Sequence, residues 1–186
     1  MSTEGAILFW RFYMKFIISS FKTFSKFELL LWLGSLILLI SPYLLLKNTN
    51  YFMLFTSIIG STALIFVAKG NVIGQILTVI FAILYGIISF SFRYYGEMIT
   101  YLGMTAPIAI VAIVTWLRNS FNGVKFEVKV NTLTIKEYIL MIILAIIVTC
   151  IFYFILKFFN TNNLLISTFS ILTSFLASYL TMKRSA

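Results

Sequence analysis

The sequence contains no histidine and no aspartate. Its only acids are Glu4, Glu28, Glu97, Glu127 and Glu137, and its one cysteine is Cys150, inside an apolar run. A zinc site draws several ligands from His, Cys and carboxylates, and a serine–histidine–aspartate triad needs its imidazole. Neither can be assembled here, so the reading carries no metal, no cofactor and no enzyme. No G-x-x-x-x-G-K-[ST] segment occurs, which excludes P-loop nucleotide hydrolysis. A single cysteine forms no internal disulfide. Charge of both signs is scarce: 10% of residues are charged against 61% apolar, where a soluble domain has about a quarter and about half. Mean hydropathy is +1.06. The composition is that of an all-α polytopic membrane protein that moves or holds something in a bilayer.

A span needs about 20 apolar residues to cross roughly 30 Å of hydrocarbon. Six segments qualify: Phe27–Leu46, Tyr51–Ala68, Val72–Phe92, Met98–Leu117, Tyr138–Phe158 and Asn163–Met182. The connections are short except Arg118–Glu137. Within it Val124 to Val130 alternates apolar and polar, which fits either a short hairpin or a solvated loop. Ahead of the spans, Arg11, Lys15, Lys22 and Lys26 share one helical face among Trp10, Phe12, Phe16 and Phe21. This predicts an amphipathic helix over residues 1–26 lying on anionic headgroups.

Lysine and arginine fall unevenly between the two ends of the spans. Eleven lie on the N-terminal side and its equivalents: Arg11, Lys15, Lys22, Lys26, Lys69, Arg118, Lys125, Lys129, Lys136, Lys183 and Arg184. Three lie on the other: Lys47, Arg93 and Lys157. The bias predicts both termini in the cytoplasm. It also accounts for the net charge of +9 through anionic lipid, with no nucleic acid partner.

The spans group as three, one and two. Span two carries Thr56-Ser57 and Ser61-Thr62 and ends Lys69-Gly70; span six carries Thr173-Ser174 and ends Lys183-Arg184. That pattern suggests an internal repeat with a midplane site between its copies. It divides the chain into an interfacial helix (1–26), a first triplet (27–92), a connecting helix and loop (93–136), and a second triplet (137–186) whose third helix is missing.

Polar residues inside a span are costly and tend to have a task. Gln75, near the start of span three, offers two donors and an acceptor, for a ligand or for a neighbouring helix. Tyr85 and Ser89, at i and i+4, could share a polar face with it, although Tyr85 also suits a core with its hydroxyl satisfied. The run Arg93-Tyr94-Tyr95-Gly96-Glu97 reads as an aromatic belt followed by an acid at a helix N-terminus, with Glu97 as a cation lure the alternative. Pro107 should bend span four. Trp116 suits an interface anchor or a stacking surface for a flat cation. Ser170, Ser174 and Ser178 form a stripe that fits close helix approach or a hydroxyl-lined wall, with Thr168 and Thr173 beside it.

Taken in order, Lys69-Gly70-Asn71 to Gln75, Leu84-Tyr85-Gly86 to Ser89, Tyr94 to Glu97, Pro107, Trp116 to Asn119, and Thr161 to Leu180 resemble the PnuC family of bacterial nicotinamide riboside transporters. The resemblance runs from about Lys22 to Arg184. It implies seven helices arranged 3+1+3 with the N-terminus inside. It also implies facilitated uptake, with a cytoplasmic kinase trapping the vitamin; relatives carry thiamine or riboflavin. By position it implies a substrate site at Gln75, Tyr85, Trp116, Asn119, Asn163 and Ser170. The family's seventh helix would follow Lys183-Arg184, in agreement with the missing helix of the repeat. The expectation is therefore a vitamin-nucleoside carrier of the bacterial inner membrane, with self-association left open. The alternative is a non-transporting membrane scaffold.

Overall fold

Two short motifs decide where two of the long helices begin. In Ser25-x-x-Glu28 the serine amide donates to Glu28 Oε2 at 2.7 Å and the Glu28 amide donates to Ser25 Oγ at 3.2 Å. Thr134-x-x-Glu137 forms the same reciprocal capping box, with the Thr134 amide 2.9 Å from Glu137 Oε2. Each box satisfies amides that the first turn of a helix leaves without partners. Asn50 and Asn71 cap two more helices by accepting from the Met53 and Ile73 amides.

The structure is a computed structural model that describes residues 24–45, 50–121, 124–161 and 164–184; the side chains of residues 124–126 lie outside the description. Six helices are long and apolar enough to span a bilayer: α1 Lys26–Leu45, α2 Tyr51–Ala68, α3 Val72–Ser91, α4 Tyr95–Arg118, α5 Ile135–Phe158 and α6 Leu164–Met182. The expected all-α polytopic class holds. Two boundaries move outward: α4 starts at Tyr95 rather than Met98, and α5 at Ile135 rather than Tyr138. In both, polar residues at the entrance are helical because they supply the first turn. The expected amphipathic helix falls on residues outside the description, except that Phe24 and Ser25 are not helical and Lys26 already opens α1.

The turns after α2, α3 and α5 close alike. Gly70, Arg93 and Asn160 have φ of 67°, 62° and 48°. In each turn two successive amides reach back to the carbonyls of the helix end: Gly70 to Val67, Asn71 to Phe66, Arg93 to Phe90, Tyr94 to Ser89, Asn160 to Lys157, and Thr161 to Leu156. This is the left-handed closure of a helix C-terminus. It lets each following helix run straight back.

Helices α2 and α3 pack along their length, as do α5 and α6, and α4 lies against both α3 and α6. Met104 of α4 enters the core of Met141, Ala145, Phe152, Leu156, Ile171, Phe175 and Tyr179. A smaller cluster of Val72, Ala112 and Trp116 joins α3 to the other half of α4. Outward faces are apolar and exposed, among them Leu38, Leu64, Phe154 and Phe169, as suits surfaces meeting lipid.

The loop read two ways from sequence is a hairpin, β1 Ser120–Phe121 antiparallel to β2 Val124–Val128. It straps one end of the bundle. The Val128 amide donates to Gly70 O, that of Lys129 to Asn119 O, and that of Asn131 to Arg184 O, all at 2.9–3.0 Å. Lys69, Lys129, Lys183 and Arg184 therefore gather at this end. Arg93 and Lys157 mark the ends of α3 and α5 that face the other way.

Candidate ligand cavity

The end away from the strap opens into a cavity of about 790 Å³, within the range of small-molecule sites. Its walls come from four helices. Helix α3 gives Tyr85. The start of α4 and the turn before it give Arg93, Tyr94, Tyr95, Glu97, Thr100, Tyr101 and Thr105. The end of α5 and its turn contribute Phe159, Asn160 and Thr161. Helix α6 contributes Ser167, Ser170, Ser174 and Ser178, spaced along one face.

Local sequence explains the placement. The α3–α4 turn sends the first turn of α4 back beside Tyr85, and Tyr85 Oη donates to Glu97 Oε2 at 3.0 Å. Glu97 also sits where the positive end of the α4 dipole favours an acid. Gly96 permits the approach of α5. A Cβ there would strike Leu156 Cδ2 and lie 3.0 Å from Thr161 Oγ1. Pro107 has no amide to give the carbonyl four residues back. The turn before it widens into a π-helix over Tyr101–Thr105, closed by the Ala106 amide on Tyr101 O. The expected bend is thus a bulge, and it carries Tyr101 and Thr105 on the cavity wall. The Tyr101 ring lies 4.4 Å from that of Tyr85, with Phe81 behind both at 5.6 and 5.7 Å.

Among the described residues, Glu97 is the one carboxylate on the wall and Arg93 the one cation. They form no ion pair with each other. The ion pairs among the described residues are Glu28–Lys69 at 2.9 Å and Glu137–Lys183 at 3.1 Å. The serine hydroxyls of α6 face the same space as the four tyrosines. Aromatic faces, one carboxylate and a row of hydroxyls together suit a flat, positively charged ring bearing polyol groups.

Of the residues expected from sequence, Tyr85 and Ser170 line this cavity. Gln75 does not; it is 3% exposed, one turn from the strapped end, about 15 Å along α3 from Tyr85 at 1.5 Å per residue. Trp116 is also 3% exposed, and its Nε1 donates to Thr181 O at 2.9 Å. It is neither an interface anchor nor open to a ligand in this conformation. Asn119 donates to Thr115 O at 2.8 Å and takes the Lys129 amide on its carbonyl. Asn163 lies outside the described residues. Thr168 and Thr173 bond their own helix, to Leu164 O at 2.7 Å and Ser170 O at 2.9 Å, and stay off the wall. Tyr94, Tyr95, Thr100, Tyr101 and Ser167 were not singled out for the site. Tyr101 stands four residues after Glu97, a spacing that places both on one face.

A bundle of six apolar helices with a polar, aromatic cavity is the architecture of a polytopic membrane protein. The sequence model of the nicotinamide mononucleotide transporter family matches residues 50–186, and the chain belongs to that family. It is 23% identical over 154 residues to the nicotinamide riboside transporter PnuC of Neisseria mucosa, a match covering 80% of this chain and 56% of the relative. The chain thus spans little more than half the length of that protein. A crystal structure of the vitamin B3 transporter PnuC has the same fold, with a TM-score of 0.71 at 21% identity over 87% of this chain and 70% of that one.

Proposed function

We propose that this chain carries a nicotinamide nucleoside across the bacterial inner membrane, passively, with the strapped basic end in the cytoplasm and the cavity open to the outside. The observation that carries the reading is the joint lining of one cavity by Tyr85, Tyr94, Tyr95, Tyr101, Glu97 and the α6 serines. Tyrosine faces would take the pyridinium ring, and serine hydroxyls would exchange hydrogen bonds with the ribose. Family membership and the name of the Neisseria relative agree with that substrate class. The buried Gln75, Trp116 and Asn119 stay in the proposal as groups a ligand meets when the strapped end opens. Calorimetry of the purified protein in detergent is the test, with nicotinamide riboside as ligand and thiamine and riboflavin as comparators. Micromolar binding of nicotinamide riboside, halted by Tyr101→Ala, is the expected result. No heat from any of the three, in protein shown to be folded, would refute it.

A second reading rests on an internal correspondence. Counting back from Lys69, Thr56, Gly60 and Ala63 lie thirteen, nine and six residues earlier; from Lys183 the same steps reach Ser170, Ser174 and Ala177. On α2 this face holds α3: a Cβ at Gly60 would lie 2.8 Å from Phe81 Cε2. The matching face of α6 would then be a helix-docking face, and the chain a scaffold. Ser174→Leu separates the two, since a scaffold loses its oligomer and a carrier loses ligand affinity.

A further inference from the structure

The cavity places one carboxylate beside two phenol rings tilted at 52° to each other, and that grouping has a consequence for which form of a nucleoside is accepted. Glu97 is exposed, and its Oε2 accepts from Tyr85 Oη at 3.0 Å, which ties the carboxylate to the aromatic pair. Its other oxygen has no partner among the described hydrogen bonds. Tyr85 and Tyr101 stand with ring centroids 4.4 Å apart and both line the cavity. Arg93 is also on the wall but forms no ion pair with Glu97. The remaining glutamates whose partners are described, Glu28 and Glu137, are paired with lysines and belong to the strapped end of the bundle.

We infer that Glu97 is a specificity-determining residue that makes the cavity select a positively charged aromatic ring over an uncharged ring of the same shape. The inference rests on the nucleoside reading and deepens it. A carboxylate next to aromatic faces attracts a cation twice, through its own charge and through the ring quadrupoles. An uncharged ring of equal size gains the stacking alone. Tyr85 acts as a positioning residue: its hydroxyl fixes one oxygen of Glu97 and so fixes where the charge sits.

The test uses two probes that differ in ring charge and by one hydride: nicotinamide riboside, whose pyridinium is cationic, and its dihydro form, whose ring is neutral. Each is titrated against the full chain in detergent. The wild-type protein should bind the cation about ten-fold more tightly than the neutral form. Glu97→Gln keeps an acceptor for Tyr85 Oη and should remove most of that ratio, leaving the affinity for the neutral form within about two-fold of wild type. Glu97→Asp should restore part of the preference. Equal binding of both probes by the wild-type protein would overturn the inference and leave the nucleoside reading standing. So would an equal loss of both probes in folded Glu97→Gln, which would make the residue a structural one. Binding of neither probe by folded wild-type protein would overturn the nucleoside reading and this inference with it.

Discussion

Trp116 sits where α4 meets α6 at the strapped end, and its indole donates to the Thr181 carbonyl 2.9 Å away. That carbonyl lies in the last turn of α6 and also accepts the Arg184 amide at 3.0 Å. Trp116→Phe keeps most of the ring and removes one of the carbonyl's two donors. The expected cost is about 0.5–1.5 kcal/mol, read as a lower thermal midpoint in detergent. An unchanged midpoint would mean that the indole donor does not hold this helix end. The sequence made Trp116 visible as an aromatic at a helix end. It could not show a partner 65 positions away, because nothing local encodes that contact. Tyr85 and Ser170 were legible for the opposite reason: each is a polar group at a helical position where burial in lipid would be costly. Tyr94 and Tyr95 were read as a lipid-facing belt. Nothing in their own segment distinguishes a tyrosine at the headgroups from one at the mouth of a cavity.

The helices were legible because their hydropathy sets them apart; the hairpin was not settled, because a period of two in Val124 to Val130 suits a solvated loop equally. The helix entrances were less legible, since polar first turns lower the hydropathy that marks a span. Yet those entrances carry a correspondence between the two halves. Each begins with a capping box whose glutamate also pairs with a lysine at the end of the following helix: Glu28 with Lys69, Glu137 with Lys183. After each lysine comes a residue of positive φ, Gly70 or Arg184, and the carbonyl of each accepts an amide from the strap or the segment just after it. In the second half the glutamate has two tasks and the lysine one. The carboxylate of Glu137 caps the first turn of α5 and accepts from Lys183 Nζ at 3.1 Å. Both partners are about a third exposed, so solvent screens the pair and its worth is about 0–1 kcal/mol, while the cap adds about 1 kcal/mol. Glu137→Ala should therefore lower the thermal midpoint by clearly more than Lys183→Ala. Equal shifts would mean that the ion pair, not the cap, holds this helix end.

Across the whole molecule the basic residues divide by end, and the division supports an orientation. The strap brings Gly70, Asn119 and Arg184 together by backbone hydrogen bonds, so Lys69, Arg118, Lys129, Lys183 and Arg184 share one end although they come from three separate turns. The cavity opens at the other end, beside Arg93 and Asn160. Basic residues resist translocation and are retained on the cytoplasmic side. The strapped end should then face the cytoplasm and the cavity the outside. Because Cys150 is the sole cysteine, a Cys150→Ser background leaves no native thiol, and single cysteines report sidedness without interference. Lys129 and Asn160 are both exposed, one at each end. In spheroplasts, Asn160→Cys should react with a membrane-impermeant maleimide, and Lys129→Cys should react only after the membrane is permeabilised. The reverse pattern would invert the orientation and turn the cavity toward the cytoplasm, making it a site for release rather than capture. Labelling of both before permeabilisation would mean that the strap does not lie across a membrane from the cavity, and the carrier reading would fail at its first requirement.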